Sequence, residues 1–159
     1  MNVTQLREDL IKPVLNKLNM YSIDAENLLV GTCCAESLCG EYIKQINGPA
    51  RGIFQMEVNT ALDVFNNYIK RKQSYYSIIK SIMINQDDLS AENIEYNLMY
   101  NLAFQVAMCR IHYYRVSEKI PSTFEGYAYY WKKYYNTIYG KGTEKEFLEK
   151  WKRFEKIKK

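Results

Sequence analysis

The sequence predicts a mostly α single domain spanning residues 1–159, with a small β-ribbon or loop near residues 42–55. Three observations carry that prediction. A chain of 159 residues suits one domain and can bury most of a core without disulfides or metals. Hydrophobic residues make up 47% and charged residues 25%, the balance of a folded, water-exposed chain. Apolar residues recur at helical spacing along most of the length, and no repeat, low-complexity tract or Gly/Pro/Ser linker interrupts them.

The elements follow in order. Leu6, Leu10, Val14, Leu15 and Leu18 predict an opening helix that Pro13 kinks or divides. A second helix starts near Ser22 or Asp24, either of which suits an N-cap. Its stripe is Leu28, Leu29, Thr32 and Cys33, continued by Glu36, and Gly40 helps to end it. Residues 42–46 and 52–56 flank Asn47-Gly48-Pro49, a turn signal, so this stretch reads as a ribbon or an irregular loop. Leu62, Phe65, Tyr68 and Ile69 restore the helical period, and Ser74–Ile84 is a further short helix. Ser90 caps a long helix over about 91–119. Ser122-Thr123-Phe124-Glu125 and Thr143-Glu144-Lys145-Glu146 have the form of capping boxes for helices at about 123–138 and 143–157.

Composition bounds the function. Formal net charge is +4 with a pI near 8.7, a mild bias toward anionic partners. Lys and Arg are scattered among nearly as many Asp and Glu and form no recognised motif, so nucleic acid is not expected as a partner. Cys33, Cys34, Cys39 and Cys109 contain no Cys-x-x-Cys pair, and His112 is the only histidine. Buried free thiols are therefore expected, with no metal and no cofactor. No apolar stretch approaches the roughly 20 residues of a membrane span. Arg7, Glu8, Asp9 and Lys12 stand where the apolar core of an export signal would lie, so no signal peptide is expected.

Glu36 carries the most chemical information. A carboxyl on an apolar helix stripe loses hydration, which disfavours its charged form and raises its pKa. A raised pKa lets a carboxyl hold a proton near neutral pH, as a general acid must. A partly exposed or ion-paired glutamate is the plainer reading of the residue taken alone.

Ala35-Glu36-Ser37 is followed by Gly48-Pro49-Ala50-Arg51-Gly52-Ile53-Phe54-Gln55-Met56, and a later aromatic-rich helix carries Tyr135-Asn136. Three such elements in this order resemble the lytic transglycosylase and goose-type lysozyme superfamily. The longer pattern, with Tyr130-Trp131-Lys132 before Tyr134-Tyr135-Asn136-Thr137, is similar to cell-wall-degrading proteins of tailed bacteriophages. The resemblance covers roughly residues 25–150.

It implies a lysozyme-like fold and cleavage of peptidoglycan glycan strands at the β-1,4 bond between N-acetylmuramic acid and N-acetylglucosamine. It implies Glu36 as catalytic acid, then base. Ser37, Gly52, Gln55, Tyr135 and Asn136 are the implied substrate contacts, with Gly52 allowing close backbone approach and the Tyr hydroxyl near the catalytic carboxyl; Glu57, directly after Gln55-Met56, lies near the presumed cleft and is a further candidate contact. It further implies a phage setting: a virion component, with other virion proteins as partners, or a lysis enzyme held in the host cytoplasm before release to the wall.

The sequence departs from the family pattern at Gln45, where a serine is common, and at Thr137-Ile138, where a small residue and Gly usually follow Tyr-Asn. A lytic transglycosylase needs one carboxyl. A hydrolase would need a second, for which Glu57 and then Asp63 are the candidates. Glu57 equally suits a favourable charge at the next helix's N-terminus. A non-catalytic glycan-binding virion protein is the competing class. Trp131 and Trp151 read as anchors between helices, and His112 as a satisfied or exposed histidine. Tyr113, Tyr114 and Arg115 line either a groove or the core. The basic tail Lys150, Lys152, Arg153, Lys156, Lys158 and Lys159 reads as a wall-polymer contact or a solvated helix face.

Overall fold

The computed structural model describes residues 1–155 and shows a mostly helical chain with one two-stranded antiparallel sheet. The last three lysines of the basic tail, Lys156, Lys158 and Lys159, lie outside the described residues. The opening helix comprises α1 (Val3–Gln5), a wider π turn (Leu6–Ile11) and α2 (Lys12–Lys17). Pro13 has no N–H, and its ring would clash with the carbonyl four residues back. Widening the preceding turn accommodates it without ending the helix.

Helix α3 (Ile23–Ser37) is the central element. Ser22 caps it by accepting from the Ala25 N–H. Nearly every residue from Ala25 onward is buried, so α3 is enclosed on all sides rather than amphipathic. Its end is tighter than Gly40 alone would make it. Leu38 and Cys39 join Gly40 at positive φ, and the chain turns sharply away just after Glu36.

The ribbon is short, and its two strands flank residues 52–55 rather than the Asn47-Gly48-Pro49 turn. Strands β1 (Ala50–Arg51) and β2 (Met56–Glu57) pair antiparallel, and Lys44 bridges to Arg51. Residues 52–55, part of the stretch expected as ribbon or irregular loop, form the turn between them. Gly52 at φ +75° and Gln55 at φ +48° are incompatible with extended backbone there. A Cβ on Gly52 would also lie 2.4 Å from the Leu98 carbonyl oxygen.

Helices α4 (Val58–Asn67) and α5 (Gln73–Ile82) follow. The long helix expected over 91–119 is two helices, α6 (Ala91–Tyr100) and α7 (Leu102–Tyr114). Asn101 breaks it. Its side-chain oxygen accepts from the Phe104 N–H and its amide donates to the Ile82 carbonyl. Asn93 and Asn97 likewise bond carbonyls of the 84–88 loop. These amides satisfy loop backbone and compete with helix continuation at Asn101.

Helix α8 (Phe124–Trp131) is capped by Thr123, which accepts from the Gly126 N–H. The capping box expected from Ser122 and Glu125 is absent, since Ser122 donates to Asp24 instead. The chain continues as a π turn (Lys132–Asn136) and reaches α9 (Glu144–Phe154), where the Thr143–Glu146 capping box is complete.

Helices α7, α8 and α9 pack against α3, and one apolar core joins them. All four cysteines are free and buried. Trp151 is the buried anchor its position suggested, set edge-on to Phe147. No helix among the described residues is long and apolar enough to cross a membrane.

Candidate active site

A groove of about 550 Å³ opens between the end of α3, the ribbon and the segment joining α8 to α9. Glu36, Gln55, Glu57, Tyr135 and Asn136 all line it, though 100 residues separate the first from the last. Their convergence follows from the end of α3. The Ser37 hydroxyl accepts from the Gly40 N–H at 2.9 Å and donates to the Ile53 carbonyl at 2.6 Å. It thereby ties the last turn of α3 to the ribbon turn. Gln105 on α7 fixes the other side of that turn, its Oε1 accepting from the Ile53 N–H at 2.8 Å.

Two expected substrate contacts are corrected by this arrangement. Ser37 is fully buried, with its hydroxyl spent within the protein. Gly52 does permit close backbone approach, but to Leu98 and Gln105 rather than to anything in the groove. Both hold the site's shape from beneath.

Glu36 is partly buried at the groove wall. Burial lifts its carboxyl to about 7, against the opposing pull of the Trp131 hydrogen bond and the Lys150 charge. Trp131 donates its indole N–H to Glu36 Oε1 at 2.8 Å. Lys150 donates to the Ala35 carbonyl at 2.9 Å, which stations a cation beside the carboxyl.

The resemblance implied a tyrosine hydroxyl near the carboxyl. Tyr135 lies close enough to Glu36 to feel its charge, though its hydroxyl donates to the Phe54 carbonyl at 2.8 Å and the donor to Glu36 is the indole. Tyr135 thus braces the ribbon turn while its ring meets His112 edge-on at 5.3 Å. Asn136 accepts from Lys132 Nζ through Oδ1, and Gln55 Nε2 donates to the Gly52 carbonyl, so each amide is oriented by the fold.

The second-carboxylate candidates separate. Asp63 does not line the groove. It pairs with Arg115 at 2.7 Å and with Asn67, which hold it below the usual carboxylate range. Glu57 does line the groove, is exposed, and occupies the N-cap position of α4 without a side-chain capping bond. Glu146 also lines it, but the capping box with Thr143 engages its carboxylate.

Sequence reasoning missed two groove residues. Trp131 is the anchor its position suggests, packed on Phe147 at 5.1 Å, but its N–H also reaches Glu36. His112 lines the groove with its pKa lowered to about 4 by burial and the nearby Arg115 charge. Arg115 donates to Nδ1, so the proton sits on Nε2 and points at the Tyr134 carbonyl. Neither contact has a local signature, because the partners lie 95 and 22 residues away. Tyr113 belongs to the core, its hydroxyl paired with Thr32 at 2.8 Å, whereas Tyr114 is exposed.

Among the described residues, no three His, Cys, Asp or Glu side chains converge as metal ligands would. Comparison with family models, curated proteins and solved structures finds no match for this chain, so the groove itself carries the functional reading.

Proposed function

We propose that this chain is a peptidoglycan-degrading enzyme of lysozyme-like fold that cleaves the β-1,4 bond between N-acetylmuramic acid and N-acetylglucosamine. The observation that carries the proposal is Glu36: a carboxyl lifted to about 7 by burial, facing a polar groove of about 550 Å³ with one hydrogen bond to orient it. Such a group holds a proton near neutral pH yet loses it readily, as an acid that must next act as a base requires.

The lytic transglycosylase route uses this one group twice. Glu36 gives its proton to the bridging oxygen as the bond from C1 to that oxygen breaks. The carboxylate then takes the proton of the muramic acid 6-hydroxyl as O6 closes on C1, leaving a 1,6-anhydro ring and consuming no water. Removal of Asp63 by Arg115 and of Glu146 by its capping box favours a single working carboxyl. Glu57 supports the second reading. It is an exposed groove carboxylate without a capping bond, available to activate a water for hydrolysis. Gln55 and Asn136 supply amides along the groove for the sugar hydroxyl and acetamido groups. A tailed-phage virion or lysis protein is the setting in which such an activity would serve.

Mass spectrometry of fragments released from purified peptidoglycan tests the reading. Anhydro-muropeptides are expected. Reducing ends would move the assignment to a hydrolase using Glu57, and no release by the wild-type chain would favour a non-catalytic glycan binder.

A further inference from the structure

We propose that Trp131 is the positioning residue of the site, its indole N–H selecting which oxygen of Glu36 carries the transferable proton. The inference rests on the reading of Glu36 as the acid and deepens it. An indole N–H can only donate. Of the two oxygens of a neutral carboxyl, the carbonyl oxygen is much the better acceptor. Bonded at 2.8 Å, Oε1 is therefore the carbonyl oxygen, and the proton resides on Oε2. After proton transfer the same N–H stabilises the carboxylate, so one group serves both halves of the reaction without moving.

The indole is held well enough for this work. Trp131 is 3% exposed, at the junction where α8 widens into the π turn. Phe147 of α9 covers one part of the ring at 5.1 Å. Gly142 closes on another, where a Cβ would lie 2.6 Å from the ring. The ring cannot swing without displacing α9 or the 140–142 segment, so the donor direction is set before substrate arrives.

The other ionisable groups facing Glu36 do not perform this selection. Cys109 and Tyr113 on α7 and Tyr135 on the π turn are pushed up by burial and remain neutral. His112 is neutral above about 4. Lys150 on α9 spends its bond on the Ala35 carbonyl. Glu57, Lys141 and Glu146 also line the groove, but none of the three is hydrogen-bonded to Glu36.

The test replaces Trp131 by Phe and, separately, by β-(3-benzothienyl)alanine, which keeps the indole's shape and exchanges only the N–H for sulfur. Three readouts are taken. Turnover on purified glycan strands should fall about 10- to 100-fold with KM little changed. The alkaline limb of the kcat profile should move to higher pH, because the lost bond favoured the carboxylate. The Glu36 carboxyl, followed by carbon NMR, should titrate at higher pH. Unchanged turnover and titration in the benzothienyl variant, or a raised KM with unchanged kcat, would overturn the inference. Turnover that survives Glu36→Gln would instead overturn the reading of the acid. Should Trp131→Phe not fold, the benzothienyl variant decides, and its carboxyl titration decides even without turnover.

Discussion

At the scale of single residues, the site turns on how burial treats one carboxyl. Glu36 belongs to a helix enclosed on nearly every side, and its charged form lacks the solvation that an exposed glutamate enjoys. That cost has a stability consequence with a definite sign. Well below the ordinary value of 4.5, folded and unfolded chains both keep the proton, and the group is neutral in its effect. As pH rises toward 7, the unfolded chain ionises while the fold keeps the proton, so stability is lost through that window. Glu36→Gln removes the cost. The variant should be more stable than wild type by about 3 kcal/mol at pH 8 and nearly equal to it at pH 4, as urea denaturation at the two pH values would measure. An equal difference at both would contradict a buried, proton-holding carboxyl. The suspicion attached to Glu36 was legible in the sequence because it needs only the helix period and an apolar stripe. Its partner was not, since nothing local to Trp131 announces a contact 95 residues away.

At the scale of elements, the ribbon shows what local chemistry reveals and what it hides. Asn47-Gly48-Pro49 marked a turn, and Asn47 does adopt positive φ. Residues 52–55, which read as ribbon or irregular loop, form a second turn, because Gly52 must lie against Leu98 and Gln105, positions set by α6 and α7. Gly52→Ala should therefore cost several kcal/mol, with about 1 kcal/mol from the backbone conformation alone and the rest from collision with the Leu98 carbonyl. Equilibrium denaturation checks this, and a loss under about 1 kcal/mol would show that the turn can relax. The capping box at Thr143 was legible because it closes within four residues. The break between α6 and α7 was not, because Asn101 breaks the helix only where the 82–88 loop passes beside it. Ser37 misled for a related reason: a serine beside an acid looks like a ligand contact until the ribbon is seen to take its hydroxyl.

At the scale of the whole molecule, a polar cluster joins the ends of the chain. Arg7 on the opening π turn bonds Glu26 of α3 at 2.6 Å and Asn27 at 2.8 Å, and reaches Glu155 just beyond α9. Glu26 is only 2% exposed, so removing its cation strands a buried carboxylate. Arg7→Ala should destabilise the fold by about 3–5 kcal/mol, measurable by thermal or chemical denaturation. A loss within about 0.5 kcal/mol would show that water or another cation replaces the guanidinium. The cluster also matters to the groove, because α9 carries Lys150 and Phe147, which flank Glu36 and Trp131. Helix periodicity alone fixed neither how α9 lies on α3 nor which face of α8 meets Glu36. Both depend on packing between segments more than 90 residues apart.

The proposed function requires that the Glu36 proton break a glycosidic bond. The most direct measurement is the loss of turbidity of a purified peptidoglycan suspension near neutral pH with wild type and with Glu36→Gln, the folding of each confirmed by circular dichroism. Wild type should clear the suspension, and the folded Gln variant should be slower by about a hundredfold or more. Equal clearing by the two proteins would contradict the account.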